Sequence, residues 1–129
     1  FPRVSVLSLH APALPSTHHM ISVRELAALP DGATVINTAR GALLDHDALV
    51  AECRTGRLDA VLDVTDPEPL PLDSPLLDLP NVALTPHLAG SLGTETRRLT
   101  DSALDELQAY ASGVPLLYPM DAVSLARSA

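Results

Sequence analysis

Four short runs of almost wholly apolar and β-branched residues punctuate the chain, and they constrain its fold more than any other feature. They are Val4–Leu9 (VSVLSL), Ala33–Thr38 (ATVINT), Ala60–Val64 (AVLDV) and Val82–Thr85 (VALT). A strand with one face in water alternates apolar and polar residues, whereas the buried strands of a parallel sheet read as continuous apolar runs. Helix signals stand between the runs. Ser22-Val23-Arg24-Glu25 has the S-x-x-E capping spacing and predicts a short helix to about Leu29, before the turn Leu29-Pro30-Asp31-Gly32. Asp45 can cap a helix to about Thr55, with Gly56 ending it. Asp66–Pro80 is a Pro-rich loop that excludes helix and inner strand. Ser91 can cap a long helix ending near Ser112-Gly113, and residues 114–129 carry no clear signal. Strands alternating with helices predict an open α/β architecture, a doubly wound parallel sheet. Ligands of such sheets sit outside the carboxyl ends of the strands.

With 47% hydrophobic and 19% charged residues, the chain has a globular composition. No apolar run approaches the ~20 residues that span a bilayer. Phe1-Pro2-Arg3 leads straight into the first strand-like run, without the pattern of a signal peptide. A net charge of −8 with three aromatic residues provides no basic footprint for nucleic acid and no cationic face for a membrane. Cys53 is the sole cysteine, so no internal disulfide can form, which accords with a cytoplasmic protein.

The carboxyl-end rule picks out a few side chains. Arg40 follows the second run, Asp63 ends the third with Glu68 in the loop beyond, and His87 follows the fourth. Arginine grips a carboxylate bidentately and keeps its charge. Histidine gives or takes a proton near neutrality, and a neighbouring glutamate favours the imidazolium and orients the ring. A carboxylate clamp beside a tuned proton donor is what reduction of a 2-oxo acid requires, once a hydride donor is present. A carboxylate such as Asp63 at the end of an apolar strand needs a reason to be there.

The motifs around these residues sharpen the reading. The stretch from Leu29 to Asp45 (LPDGATVINTARGALLD) closely resembles the signature of the D-isomer-specific 2-hydroxyacid dehydrogenases. So do Leu62-Asp63-Val64 with Glu68-Pro69-Leu70, and Thr85-Pro86-His87-Leu88-Ala89-Gly90. Ser8-Leu9-His10-Ala11-Pro12, followed by Leu14-Pro15-Ser16-Thr17, is similar to the family's cofactor-contacting loop. The resemblance covers residues 4 to about 113 and implies a Rossmann-like fold, apparently its second half only. It also implies roles. Arg40 would bind the substrate carboxylate, His87 would protonate the carbonyl oxygen, and Glu68 would pair with His87. His10, Ala11, Pro12, Thr38, Ala39, Asp63, Ala89 and Gly90 would contact NAD or NADP, with Asp63 approaching the nicotinamide amide. Thr34 and Thr65 depart from the usual apolar and aromatic residues, but the Asp63-to-Glu68 spacing is intact. Glu68 also sets the chain apart from the formate dehydrogenase branch, which carries Gln there.

No G-x-G-x-x-G occurs among Gly32, Gly41, Gly56, Gly90, Gly93 and Gly113, so neither the pyrophosphate turn nor the residue choosing NAD over NADP can be read. The family's substrate domain has no counterpart either, and the chain does not begin with Met. Residues 1–129 are therefore expected to form a single partial nucleotide-binding domain, weak in NADH binding and inactive by itself, with the first run as an unpaired sheet edge. The implied partners are a small 2-oxo or 2-hydroxy acid and, in the whole enzyme, a second copy of the chain. The rival reading is a non-catalytic dinucleotide sensor or scaffold, or an inactive fragment. His18, His19 and His46 have no metal-ligand spacing with acidic or thiol partners, and no metal site is expected. Cys53 reads as a packing thiol and Arg97-Arg98 as a wet helix face.

Overall fold

Each apolar run becomes a strand, and all four strands run parallel in the order β1-β2-β3-β4 in a computed structural model describing residues 3–128. Phe1, Pro2 and Ala129 lie outside the described residues, and with them part of the reading that no signal peptide precedes the first strand. The elements are β1 (Val6–Leu9), α1 (Val23–Ala27), β2 (Ala33–Asn37), α2 (His46–Arg54), β3 (Leu58–Leu62), β4 (Val82–Leu84), α3 (Thr94–Ala111) and α4 (Ala122–Leu125). Short 3-10 turns occupy Gly41–Leu43 and Pro75–Leu77, the latter inside the Pro-rich loop. Register is set by pairings such as Val35↔Ala60 and Leu62↔Leu84. Among the described residues β1 pairs with β2 alone and leaves Val6 half-exposed, the open edge expected of the first run.

The helix signals act locally as they read. The Glu25 carboxylate accepts the Ser22 N–H at 3.3 Å. Asp45 caps α2 by accepting the Ala48 N–H at 3.0 Å, and Gly56 follows in the left-handed region at φ 73°. Several boundaries differ. β2 ends at Asn37, not Thr38, and β4 at Leu84, not Thr85. β1 begins at Val6, not Val4, and β3 spans Leu58–Leu62, not Ala60–Val64, so Asp63 lies just beyond the strand. Gly93 at φ 59°, not Ser91, stands at the N-cap of α3, because the chain makes one more turn before the helix begins.

The chain divides into two units, Phe1–Ala89 and Gly90–Ala129. In the first, burial alternates along the strands. Ala33, Val35, Leu58, Ala60 and Leu62 are buried, while Thr34, Ile36 and Val61 are only partly so. The buried face packs with Leu26 of α1, Leu49 of α2, and Leu43 and Leu44 of the turn after β2, all with no exposed surface. Each such leucine contributes roughly 1.5–3 kcal/mol relative to an exposed one. Arg57 joins α1, α2 and β3. Its guanidinium donates to the Leu26 and Leu29 carbonyls at 2.7 Å each and to the Glu52 carboxylate at 2.6 Å. In the second unit Arg98 pairs with Glu95 on the exposed surface of α3, where Arg97 is exposed too. Glu106 accepts the Leu117 and Tyr118 N–H groups at 2.8 Å each, folding the chain back along α3.

Candidate active site

The carboxyl ends of β2, β3 and β4 lie side by side in the parallel sheet, and each delivers a loop to the same edge. After β2, the sheet's inward-facing Asn37, wholly buried, shapes the turn. Its Nδ2 donates to the Arg40 carbonyl at 2.9 Å and its Oδ1 accepts the Ala39 N–H at 3.1 Å. A buried amide must satisfy its donors and acceptor internally, and here it does so by fixing Thr38–Arg40. Arg40 itself is exposed, and its Nη1 donates to the Ala39 carbonyl at 2.7 Å. Within its motif Asn37 carries no role legible from the residues alone. Its signal was a polar residue at an inward strand position.

After Arg40 the chain passes so close to the next loop that a Cβ on Gly41 would stand 2.0 Å from the Thr65 carbonyl oxygen and 2.7 Å from the Asp66 nitrogen. This contact brings the Arg40 turn against the loop leading to Glu68. Glu68 then reaches His87, whose Nδ1 lies 2.7 Å from Glu68 Oε1. His87 holds a left-handed backbone at φ 54°, uncommon for a residue with a side chain. Asp63 stabilises that loop. Its carboxylate accepts the Leu88 N–H at 2.7 Å, the Ala89 N–H at 2.8 Å and the Thr85 hydroxyl. The Thr85 hydroxyl, then desolvation opposing it, then the two backbone N–H groups and the nearby His87 leave the Asp63 pKa below its ordinary value. The side chain is thus an ionised anchor for the His87 loop, a role additional to the cofactor contact that the resemblance implies.

Asp63, Glu68 and His87 line a cleft of about 570 Å³ whose remaining wall includes Pro69, Leu70, Leu77, Leu84 and Pro86. Arg40 is not in that lining; it sits on the neighbouring turn of the same sheet edge. Thr38 is exposed and Ala39 partly buried there. Beyond β1, His10 bonds to Ser8 Oγ at 2.8 Å, Ala11 packs on the core, and the Pro12 carbonyl accepts the Thr17 hydroxyl at 2.6 Å. Ala89 ends the first unit and Gly90 opens the second.

Residues 1–89 match the family model described as D-isomer specific 2-hydroxyacid dehydrogenase, NAD binding domain. The chain belongs to that family. Glyoxylate/hydroxypyruvate reductase B from Pectobacterium atrosepticum is 46% identical over 109 residues, covering 83% of this chain and 34% of that protein. A D-isomer specific 2-hydroxyacid dehydrogenase from Xanthobacter autotrophicus Py2, solved with NADPH and MES, superposes with a TM-score of 0.79 at 36% identity, covering 91% of this chain and 48% of that one. D-lactate dehydrogenase with NAD+ from Lactobacillus jensenii gives 0.85 at 30% identity, covering 93% and 40%. The chain therefore spans about a third of the length of that reductase. The Rossmann-like sheet expected from the motifs is the one these dehydrogenases share.

Proposed function

We propose that this chain supplies the proton-transfer half of an NAD(P)-dependent oxidoreductase acting between a small 2-oxo acid and its D-2-hydroxy acid. The observation that carries the reading is the His87 Nδ1–Glu68 Oε1 contact at 2.7 Å beside an apolar cleft. With Nδ1 held by the carboxylate, the ring is oriented, and Nε2 is the ring atom left to give a proton to the substrate oxygen. In the reverse direction the same nitrogen takes the proton back. Arg40, one strand over, would hold the substrate carboxylate. The flat apolar wall of Pro69, Leu70, Leu84 and Pro86 fits a nicotinamide ring, with Thr38, Ala39, Asp63 and the backbone at His10–Pro12 and Ala89-Gly90 as the holding residues. The bound cofactor would supply the hydride. Both NAD and NADP are compatible with these residues.

The names of the relatives make glyoxylate, hydroxypyruvate and pyruvate the first substrates to assay. The joint retention of Arg40, Glu68 and His87 favours an enzyme over a sensor or scaffold. The acidic charge supports small-molecule over nucleic-acid partners. No helix among the described residues is long and apolar enough to cross a membrane. A cytoplasmic homodimer is proposed from the family resemblance, and sedimentation of the whole protein tests the dimer. In NADH and NADPH oxidation assays of the whole protein, His87→Ala should lower kcat by ~10²–10⁴-fold. Near-parental turnover in that variant would remove His87 from the mechanism.

A further inference from the structure

We propose that His18, His19 and Asp66 form a binding site for a divalent transition metal ion, of the zinc, nickel or copper type. The three side chains come from two loops far apart in sequence, and their ligand atoms all lie within 4.8 Å of one another. All three are exposed, so an ion from solution reaches them without opening the fold.

Backbone contacts bring these loops together, independently of the side chains' own rotamers. The His19 N–H donates to the Ala42 carbonyl at 2.8 Å, which lays the His18-His19 turn along the segment after Arg40. Gly41, in that same segment, abuts the Thr65 carbonyl and the Asp66 nitrogen. His19 takes a left-handed backbone at φ 49°, and its ring stacks on that of His18 with centroids 4.0 Å apart. Both imidazoles therefore lie on one side of the turn rather than diverging as neighbours in an extended chain do, and rotation about their side-chain bonds unstacks them and turns each in-plane nitrogen lone pair toward a shared ion.

The donor set selects the ion. Two imidazole nitrogens and one carboxylate oxygen suit zinc, nickel and copper, whereas magnesium and calcium require oxygen-rich shells. Ligands about 2.0–2.1 Å from a tetrahedral zinc stand roughly 3.3 Å apart. Exposed side chains can close that remaining distance by rotating about their side-chain bonds, and water would fill the open positions. Asp45 places a further carboxylate within electrostatic reach of His19. His46 interacts with both His19 and Asp66, and its Nε2 is enclosed with no hydrogen-bond partner among the described residues.

Asp66 stands two residues before Glu68, and the His18-His19 turn is bonded to the segment that follows Arg40. An ion here would tie together the loops that carry the proposed carboxylate clamp and the partner of the proton donor.

The test is calorimetric titration of the tag-free protein with zinc chloride, with thermal melting as a second readout. The expected result is one site per chain and a melting temperature that rises with added zinc. His18→Gln combined with His19→Asn, which keeps a residue tolerant of positive φ, should weaken binding at least ~10-fold, and so should Asp66→Asn. His87→Gln should leave binding unchanged. Absence of saturable binding, equal binding by the double variant, or loss of binding on His87→Gln alone would overturn the assignment. Unchanged melting of the zinc-free variants shows that any lost affinity is not lost folding.

Discussion

Replacing Gly41 with alanine should damage fold and site together. Gly41 has no positive φ that would demand glycine; what it lacks is room. The added methyl carbon would sit 2.0 Å from the Thr65 carbonyl oxygen and 2.1 Å from its carbon, where ordinary contact begins near 3.4 Å. The two segments must therefore separate by more than an ångström, on the order of 1.4 Å. Both obstructing atoms belong to backbone, which cannot rotate aside as a long side chain can. Overpacking costs ~1–3 kcal/mol in general, and this case belongs at the upper end. For a domain of this size that is a fall in melting temperature on the order of 10 °C. The displacement also moves the Arg40 turn relative to the loop of Glu68, and a misplacement of about 1 Å in a reacting constellation costs ~10²-fold in rate. Scanning calorimetry and steady-state reduction of 2-oxo acids by the whole protein measure the two effects. Gly90→Ala serves as the stability control, since nothing lies within 4 Å of its added Cβ. A Gly41→Ala protein that melts within ~2 °C of its parent with unaltered kcat/KM would refute the steric reasoning.

Asn37→Ala leaves the Arg40 carbonyl and Ala39 N–H without their buried partners and should cost roughly 2–4 kcal/mol, raising KM for the 2-oxo acid more than it lowers kcat. Equal KM in parent and variant would separate Asn37 from the positioning of Arg40. Burial, partly offset by the attraction of Asp66, lowers the His46 pKa below its ordinary 6.5, with His19 lowering it further and Asp45 raising it. The unfolded chain then binds the extra proton, so stability is fully present above pH 6.5 and declines as pH falls below it. His46→Gln should flatten that decline in urea melts between pH 5 and 7, and an identical slope would contradict the reading. Burial raises the Cys53 thiol to about 11, aided by Asp59 and Glu52. Iodoacetamide at pH 7.5 should label Cys53 only after denaturation, and fast labelling of the native chain would show the thiol accessible.

The parallel α/β fold was legible in the residues because strand and helix signals are local. The four apolar runs, the Ser22–Glu25 pair and the Asp45 cap each act within a few positions, and each element forms within two residues of its expected place. The spacing of Arg40, Asp63, Glu68 and His87 after successive strands also assigned them to one sheet edge, since parallel strands point their carboxyl ends alike. The exact start of α3 was not legible, because Ser91 and Gly93 are both acceptable helix neighbours and the geometry of one added turn decided between them.

Other features depend on which segments meet, and no local pattern encodes that. Asn37 is an ordinary strand residue until its burial forces its amide to shape the Arg40 turn. Asp63 becomes the anchor of the His87 loop only because β3 and β4 are neighbours. Arg57 joins three elements through partners as distant as Leu26. His18-His19 and Asp66 are separated by two strands and two helices in the chain, so their spacing carries no ligand signature. They converge because Gly41 lets two backbones touch, a distance set by packing and not by sequence separation.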